Sequence, residues 1–149
     1  MTEYGRLIGI DVGTKWIGLA RTDLLRTVAN PIGTYGQEEV FEKLQSLVET
    51  DRVRKFVVGW PLTPKGNEGT ATVMVEKFIE KLRMLFPEIE IAKIDERYTS
   101  KEAVAAMIEA GVPKMKRRET DRINRAAAAI ILQKYLDLEL SDKSGTFRY

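Results

Sequence analysis

From Leu7 to Thr22 the chain reads Leu-Ile-Gly-Ile-Asp-Val-Gly-Thr-Lys-Trp-Ile-Gly-Leu-Ala-Arg-Thr. Two short apolar runs flank a polar break, which predicts two antiparallel strands joined by a tight turn at 13–15, with glycine supplying the positive φ that turns often need. Residues 28–35 hold Pro31 and Gly33 and suit a third, edge-like strand. Residues 38–49 are apolar at 40, 41, 44, 47 and 48, the spacing of a helix with one buried face. Residues 54–60, Arg-Lys-Phe-Val-Val-Gly-Trp, form the short apolar run of a buried parallel strand. A loop rich in Pro, Gly and Asn follows to residue 69, and then a second amphipathic helix over 70–86, stopped by Pro87.

Residues 88–95 predict another strand, running into Asp-Glu-Arg-Tyr-Thr-Ser. Thr99 and Glu102 make a capping box, so a helix is expected from Ser100 to Gly111, followed by a basic loop over 112–120. A last helix over 121–138 is thin because Ala126, Ala127, Ala128 and Ala129 are consecutive; small side chains let a helix axis approach a sheet closely. Three meandering strands followed by βαβ crossovers predict an α/β fold with a mixed five-stranded sheet and helices on both faces. At 149 residues and 44% hydrophobic content the chain suits one domain, taken as residues 1–140 with a flexible tail over 141–149.

The longest apolar run, 126–132, falls far short of the roughly 18 residues of a membrane span, and residues 1–4 leave no room for a signal peptide. A cytoplasmic protein with no membrane partner is expected. The chain has no Cys and no His. Thiolate nucleophiles, disulfides, Ser-His-Asp and Cys-His arrangements and His- or Cys-ligated zinc are thereby excluded. Chemistry left to carboxylates favours oxygen-loving ions such as Mg²⁺ or Mn²⁺.

Asp11 sits inside the first strand between Ile10 and Val12. Desolvating that carboxylate costs several kcal/mol unless a cation, a hydrogen-bond donor or a metal ion pairs with it, on the order of the penalty for any buried charge. The plain alternative ties it to the turn amides of Gly13 and Thr14, or to Lys15. Functional sites in such sheets form outside the carboxyl ends of the parallel strands. Glu96 lies just past one of those ends and Asp11 lies late in its strand, so the two can meet across 85 positions of sequence.

Four motifs in order resemble one family: Gly-Ile-Asp-Val-Gly-Thr-Lys from Gly9, Val-Val-Gly-Trp-Pro-Leu from Val57 with Gly66 and Gly69 behind it, Asp-Glu-Arg-Tyr-Thr-Ser from Asp95, and Ile-Leu-Gln-Lys-Tyr-Leu-Asp from Ile131. Together, over about residues 5–138, the chain resembles the YqgF family, also called RuvX. Its members are bacterial ribonuclease H-like proteins described as Holliday junction resolvases and as nucleases for pre-16S rRNA. The resemblance implies a ribonuclease H-like fold and a nuclease that processes the 5′ end of pre-16S rRNA or resolves junctions, with structured RNA or branched DNA as partner, working as a monomer or homodimer.

By the same resemblance, Asp11 and Glu96 match the first two catalytic carboxylates, and the third position, in the last helix, is here Asn124. An amide oxygen can ligate Mg²⁺ but lacks the offsetting charge and cannot act as a base. Asp121, three residues earlier, is placed to substitute in part, or it simply complements the helix dipole. The implied chemistry is two-metal phosphodiester hydrolysis, with two Mg²⁺ or Mn²⁺ ions roughly 3.5–4 Å apart held by Asp11, Glu96 and Asn124 or Asp121. Lys15 and Arg97 are candidates for phosphate contact, with a neutralising salt bridge as the alternative for each.

Residues 112–125 carry Lys114, Lys116, Arg117, Arg118, Arg122 and Arg125 against Glu119 and Asp121, a local excess of +4 in a chain of net +2. Such a segment suits a clamp on a nucleic-acid backbone, and equally a solvated loop. Trp16 and Trp60 offer faces for base stacking, although their apolar strand neighbours favour core packing. Two rival readings stand beside the nuclease. Asp-x-Gly-Thr-Lys on a hairpin also resembles the first phosphate motif of actin-like and sugar-kinase ATPases, although those close two such domains around the nucleotide. The other is an RNA- or ribosome-binding protein that kept the fold and lost the chemistry at Asn124.

Overall fold

The computed structural model describes residues 5–63, 65–96 and 120–144, with side chains in the last stretch described for 126–139. The elements in chain order are β1 (Arg6–Val12), β2 (Ile17–Thr22), β3 (Ala29–Tyr35), α1 (Glu39–Thr50), β4 (Val53–Trp60), α2 (Thr70–Leu85), β5 (Glu90–Asp95) and α3 (Thr120–Ser144), which continues the pattern expected from the sequence. The strands form one sheet in the order β3-β2-β1-β4-β5. The β1–β2 and β2–β3 pairs are antiparallel, and β1–β4 and β4–β5 are parallel. The mixed five-stranded sheet is therefore as expected. Among the described residues no helix is long and apolar enough to cross a membrane.

Two local expectations need correction. Gly13 does not adopt positive φ, which among the described residues is confined to Gly5, Gly66, Arg26 and Arg52. The turn closes instead by an ordinary hydrogen bond from the Gly13 amide to the Trp16 carbonyl, 3.1 Å, and the Gln37 side-chain amide holds the Thr14 carbonyl at 2.7 Å. The last helix also runs on to Ser144, so helix replaces the first part of the tail expected from 141. The helix expected over 100–111, most of the basic loop and the end of the tail lie outside the described residues.

Side chains alternate across each strand, and the two faces bury different things. Ile8, Ile10, Val12, Phe56 and Val58 face α1 and α2, where Val40, Leu44, Leu47, Val75, Phe78, Ile79 and Leu82 complete a large apolar core. Leu7 and Val57 face the other way and meet Ala128, Ile131, Leu132 and Leu136 of α3. Gly9 occupies the same face of β1, and a Cβ there would stand 2.8 Å from the Ala128 carbonyl oxygen and 2.8 Å from Leu132 Cβ. The alanine run thus does bring the helix backbone down onto the strand, and glycine on the strand makes the remaining room.

The direction of α3 follows from its contacts with β4. Lys55 hydrogen-bonds Tyr135 and pairs with Glu139 at 4.0 Å, whereas Gly59, four residues further up the strand, lies beneath Ile131. Higher strand numbers meet lower helix numbers, so α3 runs antiparallel to β4 and β1.

Candidate metal and catalytic site

Asp11 follows Gly9 by one strand repeat and so faces α3 as well, buried at 7% exposure. The neutralising partners available in the turn do not take it up. The Gly13 amide is spent on Trp16, and Lys15 is exposed with its ammonium 6.0 Å from the centre of the Trp16 ring. Its partner comes from β5. Ile94 belongs to the α3 face, and Glu96, two positions on, keeps that orientation. The Glu96 amide donates to the Trp60 carbonyl at 3.1 Å, extending the parallel pairing past the last strand residue.

Between the two carboxylates lies β4, and there the residue on the α3 face is Gly59, in register with Ile94. A Cβ on Gly59 would fall 2.2 Å from Glu96 Oε1 and 2.7 Å from Ile131 Cδ1. The Glu96 carboxyl therefore lies over the bare backbone of β4, from where it comes within hydrogen-bonding reach of the Asp11 carboxyl once one of the two is protonated. Glu96 Oε1 is itself buried without a hydrogen-bond partner. A buried acceptor in that condition costs about 1–3 kcal/mol.

Electrostatics follow from this geometry. Burial pushes the Asp11 carboxyl up to about 6, with the hydrogen bond to Glu96 acting the other way. Burial also raises Glu96, and the Asp11 charge, the shared hydrogen bond and the Asp95 charge push it further, to about 8, against the opposing pull of Lys134. Two carboxyls this close in a dry place cannot both ionise cheaply. Near neutral pH they share a proton.

A divalent cation is the natural replacement for that proton, because it neutralises both oxyanions and gives Oε1 a partner. The chemistry of the donors fits: two hard oxygen ligands, Asp11 buried and Glu96 half-buried, at the carboxyl ends of parallel strands. Among the described residues no group of three acidic, His or Cys side chains is assembled for a metal, so any third ligand must come from elsewhere. Asp11 lies two strand residues beyond Gly9, about 7 Å, which matches four to five residues of helix. Counted against the strand direction from Ala128 and Leu132, which both meet Gly9, the level of Asp11 on α3 falls within about residues 123–128. The side chains of Asp121, Arg122, Asn124 and Arg125, like Arg97, Lys114, Lys116, Arg117 and Arg118, lie outside the described residues.

Two contributors were not singled out from the sequence. Gly59 lies against the Glu96 carboxyl, and the Lys134 charge pulls on it, though both are remote in sequence. A glycine inside an apolar strand signals close approach of something, without saying what. Trp60 packs against the α1–α2 core with the Lys93 ammonium 3.9 Å from its ring centre, in keeping with core packing.

A family model described as RuvX, Holliday junction resolvase, matches residues 5–138. Over 137 residues the chain is 44% identical to a Salinibacter ruber protein named "Putative pre-16S rRNA nuclease", spanning 92% of this chain and 96% of that one. A Porphyromonas gingivalis protein of the same name is 38% identical over 133 residues, 89% and 96% of the two chains. Among solved structures, T. thermophilus RuvC in complex with a Holliday junction substrate superposes with a TM-score of 0.53 at 16% identity, covering 96% of this chain and 98% of that one. A second Thermus thermophilus RuvC structure gives 0.51 at 14% identity, over 95% and 97%. These two likenesses carry the ribonuclease H-like architecture and nothing finer.

Proposed function

Because the chain belongs to the RuvX family of Holliday junction resolvases, we propose that it is an endonuclease that hydrolyses nucleic-acid phosphodiester bonds with the help of Mg²⁺ or Mn²⁺. One observation carries the reading: buried Asp11 and half-buried Glu96 stand side by side on the α3 face, with the Oε1 atom of Glu96 shut off from solvent and lacking any partner. When bound, the cations supply an activated water and stabilise the leaving oxygen of an in-line displacement. Asp11 and Glu96 give up their shared proton to receive them. Asn124 completes the donor set, with Asp121 as the nearby carboxylate. The apolar packing of Ile131 and Ile94 around the pair excludes bulk water, which strengthens every charge interaction inside.

The favoured substrate is the 5′ end of pre-16S rRNA in the cytoplasm, since the relatives bearing that name match at high identity over nearly their whole length. The basic residues from Lys114 to Arg125, with Arg97 and the exposed Lys15, serve the backbone of that RNA. A second reading rests on Asn124: with one charge fewer at the third position, the protein binds the same RNA without cutting it.

One assay separates them. A pre-16S leader fragment and a four-way DNA junction are incubated with the protein in Mn²⁺ or in chelator. The nuclease reading expects Mn²⁺-dependent cleavage of the RNA, and a faster rate in Asn124→Asp. RNA bound equally well in chelator and never cleaved would leave the binding reading. Cleavage of the junction alone would move the substrate to DNA.

A further inference from the structure

We infer that Gly59 is a positioning residue: the absence of a side chain at this one point of β4 sets where the Glu96 carboxyl rests, and so sets the spacing of the Asp11–Glu96 pair. The inference builds on the nuclease reading for what the pair is for, but its geometry stands alone. Parallel strands place β1 and β5 on opposite sides of β4. A carboxyl anchored on β5 can reach one anchored on β1 only by crossing β4. The crossing point is Gly59, where a single methyl group would stand 2.2 Å from Glu96 Oε1 and 2.9 Å from its Cδ. Contacts under about 3 Å between carbon and these atoms lie well inside van der Waals range.

The backbone cannot retreat, because Gly59 is paired with Ile94 on one side and the next residue, Trp60, accepts the Glu96 amide. The methyl would also stand 2.7 Å from Ile131 Cδ1, the far end of a fully buried side chain that has to give a little, so a smaller part of the cost falls on packing. The tighter clash and the larger movement belong to the Glu96 side chain with its three rotatable bonds. In Gly59→Ala the carboxyl swings away from Asp11 while the fold persists. Gly9 makes a useful contrast, because its missing Cβ faces the α3 backbone and Leu132 rather than a carboxylate. One glycine admits the helix and the other admits the acid.

The test combines metal affinity with a stability cycle. Mn²⁺ binding, followed by electron paramagnetic resonance on the intact protein, weakens at least about tenfold in Gly59→Ala. Melting temperatures in chelator are measured for wild type, Gly59→Ala, Glu96→Ala and the double variant. Because the added methyl presses on the Glu96 carboxyl, the drop caused by Gly59→Ala shrinks by half or more once Glu96 is alanine. Should Gly59→Ala fail to fold while the double variant folds, the same coupling is shown in its extreme form.

Unchanged Mn²⁺ affinity in a folded Gly59→Ala protein would overturn the inference. So would an equal melting drop in both backgrounds, or failure of both to fold, since then the glycine serves only the packing of Ile131. If wild type itself takes up no Mn²⁺, the nuclease reading falls, and the melting cycle alone still decides whether Gly59 positions Glu96.

Discussion

The two faces of this sheet are built from alternate residues of the same strands, yet they answer to opposite demands. Toward α1 and α2, β1 and β4 present Ile8, Ile10, Val12, Phe56 and Val58, bulky and apolar throughout. Toward α3 they present Leu7, Gly9 and Asp11, then Val57 and Gly59, so that the side chains shrink to nothing and end in a charge. The first face maximises apolar area removed from water, the dominant favourable term in folding. The second gives up area so that a helix backbone and two carboxyls can approach the sheet. Stability is concentrated on one side and chemistry on the other, and a period of two in the strand keeps them apart.

The sharpest break of that comparison is to remove charge from the α3 face. Asp11→Asn is expected to lower Mn²⁺-dependent cleavage by about 10⁴-fold, because a neutral amide neither offsets the cation nor exchanges a proton for it. The same variant is expected to melt higher than wild type in chelator, since it relieves a buried carboxyl pair. A variant that lost both activity and stability would mean that Asp11 is a structural residue. On the opposite face, Phe56 is fully buried and meets Phe86 edge-on with ring centres 5.5 Å apart. Phe56→Ala is expected to cost about 3–5 kcal/mol in urea unfolding through the cavity it leaves. Mn²⁺ affinity of the folded protein should stay within about threefold of wild type, because the vacated space opens away from Asp11; a larger loss would show that the faces are not independent.

How much of this was legible beforehand differs along the same line. The α1–α2 face announces itself in sequence, through helical spacing over 38–49 and 70–86 and the run Phe-Val-Val ending in Gly-Trp. These signals are local, and the observed elements fall within a residue or two of them. On the other face the meaning of each residue depends on what lies across from it. Asp11 could be read as a buried charge in need of a partner, but only the fold brings Glu96 to it over β4. Gly9 and Gly59 stand within motifs that give them no role, because a glycine records a close approach and not the identity of what approaches. The positive φ expected at Gly13 was a general habit of tight turns, and here the Gly13–Trp16 hydrogen bond closes the link without it.

The smallest effect is the most specific to the α3 face, because it depends on pH. Burial first, and then the nearness of the two carboxyls, pushes the pair up from the ordinary 3.8 and 4.5, Asp11 to about 6 and Glu96 to about 8. Between about pH 4 and 8 the folded state therefore holds more protons than the unfolded chain, so the slope of unfolding free energy against pH is negative. The contribution is fully present below the ordinary carboxylate range and is lost progressively as pH rises through 6 and then 8. At full size the two shifts would amount to about 5 kcal/mol between pH 5 and pH 8; with Glu96 only half-buried, solvent screening should leave about 2–3 kcal/mol of that loss in urea unfolding in chelator. Saturating Mg²⁺ should flatten that slope, because a cation holds both groups ionised in the folded state, and Asp11→Asn should weaken it, because the like charge that raises Glu96 is gone. Stability that holds constant or climbs over the same interval in chelator would mean that the two carboxyls ionise as freely as surface groups, and the α3 face would then differ from its opposite only in the size of its side chains.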